Sequence, residues 1–371
     1  MRILIPITNF GHGGGGRVLS RLASAWTAAG HTTDFLVDAR SPKPYFPTDA
    51  GIHQFNEKGL DFESRLDESK FESSGSGLSI YRGMYRALNQ LGSNYDVILA
   101  NHSMTAWPVR FAKTGLAHKF YYVQAYEPEY YKLRPGLKSR ILRWISYKSY
   151  SLKLFQIANA PIYVDHPSIR ATTWIPPGLD VSTFHRRTTS PRFSNSDEPI
   201  VIGTIGRMEE TKGTIYVLQA FAQLHSMNPR FRLRVAYGNL PEGWSQQAGL
   251  EVVVPHGDTE LAAYYRTVDI LAAPGVVQLG ACHYPVLEAM ASGTPVITTG
   301  YLPASPENSW LVPVRDSSSI VKAILDIVAL PEPELTRRLN LAHADVQRFT
   351  WTQVAQNFLE LFETAMSDYP S

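Results

Sequence analysis

The chain alternates short apolar runs with stretches of helical periodicity, in two successive blocks. In the first block, Leu19, Leu22 and Trp26 recur at helical spacing within 17–29. The other elements of this block are strands predicted at 2–7, 33–37, 97–100 and 119–124. In the second block strands are predicted at 199–205, 233–236, 251–254, 270–272 and 296–298, with a last helix over 350–366. This alternation predicts an α/β protein built from two Rossmann-like βαβ domains. Residues 61–77 are predicted to form a long surface excursion, and 184–199 a linker.

Length and composition agree with a globular protein of two domains. The chain has 371 residues, of which 44% are hydrophobic and 18% charged. A net charge of +2 does not call for a nucleic acid partner. Cys282 is the single cysteine, so no internal disulfide forms and no zinc spacing exists. The N-terminal strand has no apolar stretch of signal-peptide or membrane-spanning length, which predicts a cytoplasmic protein.

A strand-to-helix loop in the second block carries two cations between two glycines. Arg207 follows Gly206, and Lys212 precedes Gly213, five residues further on. In open α/β sheets this edge binds ligands. Fixed guanidinium and ammonium groups stabilise the charge that develops on a departing diphosphate. The alternative interpretation is that both are solvated loop charges.

A second anion site is predicted near 284–293, where a short helix opens with Tyr284 and Pro285 and ends at Gly293. The unpaired N–H groups of its first turn favour an anion. Glu288 lies one turn inside, where its carboxylate can accept hydrogen bonds from ribose hydroxyls. The alternative is a glutamate that only complements the helix dipole.

Taken in order, these motifs resemble retaining glycosyltransferases of the GT-B fold, in the large family 4 group. The resemblance rests on Gly-Arg-(four residues)-Lys-Gly at 206–213, Asp-Ile-Leu-Ala-Ala-Pro at 269–274 and Leu-Glu-Ala-Met-Ala-Ser-Gly-Thr-Pro-Val at 287–296. Segments 177–184, 308–313 and 348–351 match further family landmarks. The resemblance implies an acceptor-binding domain over 1–180 and a nucleotide-sugar-binding domain over 181–352, facing each other across a cleft. It also implies that a helix over 353–371 packs back on the first domain.

The chain departs from the family at one position. Gly280 stands where the family carries a first glutamate that contacts the donor sugar. The backbone amides of Gly280, Cys282, His283 and Tyr284 are expected to approach the donor phosphates instead, because glycine permits close approach. His283 is a candidate to contact the donor sugar. The alternative is that it is a packed or helix-capping histidine.

The N-terminal glycines at 11–16 formally contain Gly-x-Gly-x-x-Gly, with Asp38 22 residues past Gly16. This is the dinucleotide fingerprint, and it keeps an NAD-dependent oxidoreductase open as an alternative. Residues 8–10 separate the strand from the first glycine, which such folds do not favour. The resemblance implies instead that the loop, with Gly14 and Gly15, approaches donor and acceptor.

Two polar clusters follow strand ends in the first block. The resemblance places His102 near the donor sugar, where it donates or accepts hydrogen bonds rather than acting as a base. Gln124, Tyr126 and Glu127 are acceptor or sugar candidates, with Glu127 bonding hydroxyls and Tyr126 offering a flat face. This segment resembles bacterial rhamnosyltransferases, which implies a deoxysugar donor. The alternative is a polar loop packed under aromatic residues.

Residues 130–164 contain no acidic residue, and lysines and arginines alternate there with Trp144, Tyr147 and Tyr150. This composition suits an anionic membrane surface or a lipid-pyrophosphate acceptor, and is consistent with a cytoplasmic protein that contacts the inner face of the membrane peripherally. The same segment is also consistent with a helix whose apolar set Leu137, Ile141, Trp144, Ile145, Leu152 and Phe155 faces a core.

The resemblance implies transfer of a sugar from a nucleotide diphosphate to a glycan or lipid-linked acceptor, with retention of configuration, in bacterial surface-glycan synthesis. Arg207, Lys212 and His102 are the catalytic candidates. The chain has no Asp-x-Asp pair, so we expect no cofactor beyond the donor and no metal. Gly280 keeps a catalytically inactive GT-B partner subunit open, and a nucleotide-sugar epimerase would need an acid/base pair that the sequence does not show.

Overall fold

The computed structural model describes residues 1–11, 13–63, 77–132, 136–188, 191, 193 and 198–368. The strands are β1 (Arg2–Ile7), β2 (Thr32–Asp38), β3 (Gly51–Asn56), β4 (Gly59–Asp61), β5 (Val97–Ala100), β6 (His118–Val123), β7 (Phe155–Ala158), β8 (Thr173–Trp174), β9 (Ile200–Ile205), β10 (Phe231–Ala236), β11 (Leu250–Val253), β12 (Ile270–Ala273), β13 (Val296–Thr298) and β14 (Trp310–Leu311). The helices are α1 (Gly14–Ala28), α2 (Leu78–Leu91), α3 (Ser103–Phe111), α4 (Pro128–Lys132), α5 (Leu137–Ser149), α6 (Pro161–Val164), α7 (Thr214–Met227), α8 (Gly257–Thr267), α9 (Tyr284–Ala291), α10 (Ser317–Ala329), α11 (Glu332–Gln347) and α12 (Trp351–Asp368).

The chain forms two compact units, each around one sheet. Unit 1 comprises residues 1–178 and 351–371, and unit 2 comprises 179–350. The limits expected from the sequence were 1–180, 181–352 and 353–371. At the boundary the Leu179 N–H donates to the Phe349 carbonyl at 2.6 Å, so the outgoing and returning chain run side by side.

Unit 1 has an eight-stranded sheet in the order β4-β3-β2-β1-β5-β6-β7-β8, parallel except for the hairpin β3–β4. Helix α12 packs on this unit: the Trp26 indole donates to the Ala355 carbonyl at 3.1 Å and lies edge-on to Phe358. Helix α1 begins at Gly14, three residues before the predicted start. Strands β3 and β4 were not predicted, because Gly51–Asn56 is half polar and Gly59–Asp61 is very short.

Unit 2 has six parallel strands in the order β11-β10-β9-β12-β13-β14. One face of this sheet buries Tyr265, Leu287 and Phe349 in a single cluster, and the other buries Phe221 and Ile324. Such runs of Ile, Val, Leu and Ala are typical of a parallel sheet covered on both faces. The α/β architecture with two parallel sheets confirms the fold predicted from the sequence.

The predicted linker over 184–199 is wrong for its first four residues, and 189, 190, 192 and 194–197 lie outside the described residues. Phe184 is fully buried and packs near the Tyr265 ring. The Arg187 guanidinium donates to the carbonyls of Tyr265 and Val268 and to the Thr294 hydroxyl. Burial lowers the pKa of Arg187 to about 10. The excursion predicted at 61–77 likewise lies mostly outside the described residues.

Within the described ranges, every helix is too short or too polar to cross a bilayer.

Candidate functional site

The Arg207 loop follows β9 at the centre of the unit 2 sheet, where β10 and β12 flank that strand. The strand order reverses here, since β10 lies on one side of β9 and β12 on the other. In a parallel sheet, ligands usually bind where the strand order reverses. The Gly206 N–H donates to the Ala236 carbonyl at 2.7 Å. A Cβ on Gly213 would lie 1.9 Å from the Pro274 carbonyl oxygen, and its φ is +77°. The two glycines therefore let the loop pack directly on its neighbouring strand ends.

Arg207, Lys212 and His283 influence one another electrostatically, although they come from two segments of unit 2. Burial lowers the pKa of Lys212, and the Arg207 charge lowers it further. Burial also lowers the pKa of His283 to about 3, with further contributions from Lys212 and Arg207. The structure thus brings together three of the residues predicted from the sequence, in a positively charged region that holds a neutral imidazole.

The segment before α9 is held by backbone hydrogen bonds. The Val276 N–H donates to the Thr211 carbonyl at 2.9 Å, which ties this segment to the Arg207 loop. The Gly280 N–H donates to the Gly300 carbonyl at 2.9 Å, and φ at Gly280 is +84°. The prediction that the Gly280 amide meets the donor phosphates is therefore wrong in this conformation. The positive φ that glycine permits at this position serves the turn.

Cys282, His283 and Tyr284 lead into α9. Burial raises the pKa of the Cys282 thiol to about 12, so the group stays protonated. His283 is the N-cap residue, its ring lies 4.6 Å from the Tyr301 ring, and its Nδ1 has no hydrogen-bond partner among the described residues. Tyr284 is the first helical residue. Pro285 has no N–H, and the Val286 and Leu287 N–H groups donate to the His283 carbonyl at 3.0 and 3.2 Å, so these positions offer no N–H to an anion. The positive end of the helix dipole still favours negative charge at this helix start.

Glu288 lies one turn inside α9, as predicted, and is only 2% exposed. Its Oε2 accepts a hydrogen bond from the Tyr265 hydroxyl at 2.9 Å. A glutamate that merely complemented the helix dipole would lie at the solvent edge of the first turn, and this one lies among the core residues of the unit. Tyr265 therefore fixes the orientation of the carboxylate. No pattern in the sequence indicated this tyrosine, which is 23 residues away.

In unit 1, three adjacent strands end in the residues singled out from the sequence. The order β1-β5-β6 carries the glycines after β1, His102 after β5 and 124–127 after β6. Gly14 and Gly15 form the first turn of α1, and a Cβ on Gly15 would lie 3.3 Å from Gln124 Oε1. The structure thus brings Gly15 and Gln124 together at a helix N terminus that is suited to an anion.

His102 caps α3, and both of its ring nitrogens are bonded. Nδ1 accepts from the Met104 N–H at 3.1 Å, which leaves the ring hydrogen on Nε2. Nε2 lies 3.1 Å from Glu127 Oε2. The hydrogen bond to a sugar that the sequence led us to expect from His102 would have to replace one of these two.

Glu127 is 3% exposed, and its carboxylate accepts the Ser103 N–H at 2.9 and 3.0 Å and the Ser103 hydroxyl. Burial raises the pKa of Glu127, and the neighbouring His102 and Ser103 lower it in part. The expectation that Glu127 bonds sugar hydroxyls is not met here, because these donors surround it. Glu127 positions the start of α3 and the His102 ring.

Tyr126 stacks on Tyr150, with ring centroids 5.7 Å apart, and its ring lies 4.0 Å from that of His166. The Tyr150 hydroxyl donates to the Ala125 carbonyl and accepts from the Glu127 N–H. Tyr126 remains partly exposed, as a sugar-stacking residue requires. Tyr150 was expected to belong to the basic surface segment, and it is fully buried under this loop.

The acidic residue of the dinucleotide fingerprint, Asp38, is already paired within the protein. Asp38 is 1% exposed, and its carboxylate pairs with the Arg40 guanidinium through bonds of 2.8 and 2.7 Å. A dinucleotide fold needs that carboxylate for a ribose. The pairing with Arg40 weakens the oxidoreductase alternative.

Comparison with known proteins points to one class. Residues 199–329 match the sequence family described as glycosyl transferases group 1. D-inositol 3-phosphate glycosyltransferase of Corynebacterium aurimucosum is 30% identical over 196 residues, 45% of this chain and 44% of that protein. The same enzyme of Stackebrandtia nassauensis is 26% identical over 219 residues, 52% of this chain and 49% of that protein. The chain thus spans about half the length of the curated relatives it matches.

Among solved structures, sucrose-phosphate synthase of Thermosynechococcus elongatus aligns over 100% of both chains with a TM-score of 0.73 and 18% identity. Anabaena HepE in complex with UDP and glucose aligns over 98% of this chain and 100% of that chain, with a TM-score of 0.67 and 16% identity. The chain therefore has the GT-B fold of these glycosyltransferases, and its residues 199–329 are similar in sequence to group 1 of that class.

Proposed function

We propose that the protein is a glycosyltransferase that moves a sugar from a nucleotide-diphosphate donor to a hydroxyl of a glycan or lipid-linked acceptor. The observation that carries this proposal is the positive region of Arg207 and Lys212, next to the N terminus of α9. It lies within the segment that matches group 1 glycosyl transferases. The similar HepE structure holds UDP and glucose.

The donor half of the reaction follows from the chemistry of this region. As the bond between sugar and diphosphate breaks, negative charge grows on the leaving phosphate. Arg207 and Lys212 stabilise that charge. Burial lowers the pKa of Lys212 and the Arg207 charge lowers it further, and a bound diphosphate would offset the repulsion between the two cations. Glu288, held by Tyr265, accepts hydrogen bonds from the ribose hydroxyls.

Unit 1 supplies the acceptor-binding residues of the proposal. The N terminus of α1 with Gly14 and Gly15, the Gln124 amide and the partly exposed ring of Tyr126 are suited to a sugar or its phosphate. His102 contacts the sugar in this proposal only by exchanging its bond to the Met104 N–H or to Glu127. Retention of configuration, a deoxysugar such as rhamnose as donor, metal independence and a place in bacterial surface-glycan synthesis complete the proposal. They derive from the family resemblance of the sequence.

One observation favours a second candidate, a GT-B subunit that binds nucleotide and has lost chemistry. Gly280 replaces a glutamate that the resembled family uses at the donor sugar. Its φ of +84° belongs to a region that a glutamate rarely adopts, so the loop is built around the glycine.

The two candidates separate in one experiment. Thermal unfolding is measured with UDP, GDP, ADP and dTDP, because a ligand of the native state raises the melting temperature by mass action. The corresponding nucleotide sugars, dTDP-rhamnose included, are then assayed for sugar hydrolysis and transfer. A glycosyltransferase gives both a shift and release of the same diphosphate. A shift without release identifies the inactive subunit, and no shift with any diphosphate contradicts both.

A further inference from the structure

Helix α5 presents its large apolar side chains to solvent. Leu137 is 73% exposed, Ile141 49% and Trp144 60%. Spacings of four and three residues place these three on one side of the helix, and Tyr147, 45% exposed, extends the same side. A stripe of this kind on a folded protein marks an interaction site.

The opposite side of α5 is turned toward the protein and is more polar. Ser146 and Ser149 are fully buried, and Leu142 and Ile145 are half-buried, where α5 packs against α3 and α4. A surface helix of a globular protein normally has the reverse arrangement, with its apolar stripe inside. The interpretation that Leu137, Ile141 and Trp144 face a core is therefore wrong.

Four cations flank the exposed stripe. Lys138, Arg140, Arg143 and Lys148 are all exposed. Within the part of the chain that the structure describes, none of the four forms an ion pair, and the sequence has no acidic residue between 130 and 164. Among the described residues, no ion pair therefore balances the charge of this surface. We call Leu137, Ile141, Trp144 and Tyr147, with these four cations, the α5 face.

We propose that the α5 face docks on an anionic lipid bilayer. Leu137 and Ile141 enter the boundary between headgroups and acyl chains, and Trp144 and Tyr147 lie at the headgroup level, where their amphipathic rings are favoured. The cations bind lipid phosphates, and long lysine and arginine side chains reach them while their stems stay in apolar surroundings.

Charge decides against the other occupants of such a stripe. A second copy of the chain would bring four unbalanced cations against four, which opposes association. Nucleic acid would satisfy the cations but leave the aliphatic Leu137 and Ile141 in water, since binding to single strands uses aromatic rings and charge. An anionic bilayer satisfies both halves of the face. The proposal goes beyond the glycosyl transfer proposed above, and its test requires no turnover.

The test is sedimentation of the full chain with vesicles of phosphatidylcholine mixed with phosphatidylglycerol, against vesicles of phosphatidylcholine alone. We expect binding to the mixed vesicles, weakened by salt. R140Q with R143Q should weaken it about 30-fold, from two cations near the surface. Leu137→Ser with Ile141→Ser, which keeps Trp144 as the reporter, should weaken binding and reduce the blue shift of tryptophan fluorescence that accompanies it.

The control is Lys58→Gln with Phe62→Ser, which removes an exposed cation and an 86% exposed aromatic ring elsewhere in unit 1. This variant should bind like the wild type. All substituted side chains are exposed, so the melting temperature without ligand should be unchanged. The increase in melting temperature caused by a nucleotide diphosphate tests unit 2 independently of vesicle binding. Equal binding to both kinds of vesicle, or equal binding by all variants, would overturn the proposal. It would also be overturned if the variants bound vesicles like the wild type but lost the ability to form dimers or to bind an oligonucleotide.

Discussion

The His102 ring and the Glu127 carboxylate form a pair in which an exposed imidazole is held by a buried acid. Nε2 lies 3.1 Å from Oε2, and the side chains are 41% and 4% exposed. Because Nδ1 accepts the Met104 N–H, the neutral ring presents its single N–H to Glu127. A carboxylate in this position fixes both the tautomer and the ring orientation. The exposed edge of His102 is thereby held in one place at the end of β5.

Removal of the Glu127 carboxylate should destabilise unit 1. Glu127→Ala leaves the Ser103 N–H, the Ser103 hydroxyl and the His102 ring without their acceptor. An unsatisfied buried donor costs about 1–3 kcal/mol, so we expect a loss in this range in the free energy of unfolding by urea. Glu129→Ala, two residues away and exposed, is the control and should change it by less than about 0.5 kcal/mol. Equal losses in the free energy of unfolding for the two variants would show that the hydrogen bonds to Glu127 do not stabilise unit 1.

The sequence predicted the two sheets but not the direction of the polar side chains at their edges. Buried parallel strands such as Ile200–Ile205 and Ile270–Ala273 are continuous apolar runs, which few other elements resemble. Whether Glu127 points inward at Ser103 or outward at a ligand depends on contacts between segments that sequence spacing does not contain. The same holds for Glu288, whose partner Tyr265 lies on another helix.

Helix α5 shows the limit of periodicity itself. Its apolar residues recur at helical spacing, and this pattern predicts which side chains share a face but not whether that face is covered. The side of α5 that carries Ser146 and Ser149 is the buried one, because small side chains let the helix pack closely through that side. The grouping of Arg207, Lys212 and His283, by contrast, was predictable, since adjacent parallel strands bring their carboxyl ends to one edge.

The Arg207 loop should tolerate no side chain at Gly213. Gly213→Ala combines a φ of +77° with a Cβ 1.9 Å from the Pro274 carbonyl oxygen, so the loop must move. Gly243 has a φ of +85° and open space around it. Gly243→Ala should therefore cost only the backbone strain, about 1–2 kcal/mol, and Gly213→Ala should cost more. Urea unfolding of both measures the difference, and a diphosphate should bind normally only to the Gly243 variant.

Loss of either cation in the loop should reduce activity without loss of stability. Arg207→Ala and Lys212→Ala each remove a donor to the leaving diphosphate, which costs about 3 kcal/mol or roughly a hundredfold in turnover. Without ligand, removal of one of two repelling cations should leave the melting temperature unchanged or raise it. Arg232→Ala, an exposed cation on β10, is the control for both measurements. Undiminished turnover in both loop variants would reject the proposed roles.

His283 gives unit 2 a pH dependence whose sign is fixed by its burial. Burial, with the Lys212 and Arg207 charges, lowers its pKa from the ordinary 6.5 to about 3. Between these two values the unfolded chain takes up a proton that the folded protein does not. The contribution of His283 to stability is therefore full above pH 6.5 and is lost as the pH falls toward 3, by at most about 1.4 kcal/mol per pH unit.

His283→Gln should remove this part of the acid sensitivity. We expect the free energies of unfolding of wild type and variant to converge, or to cross in favour of the variant, as the pH is lowered below 6.5. His256 is the matched control, because it also occupies a helix N-cap position but is exposed, so His256→Gln should leave the pH profile of unfolding parallel to that of the wild type. Lys212→Ala should also reduce the acid sensitivity of unfolding, because it removes one of the two cations that oppose protonation of the His283 ring. Parallel profiles for all four proteins would mean that the imidazole is protonated in the folded protein as readily as in water, and that the positive region does not include it.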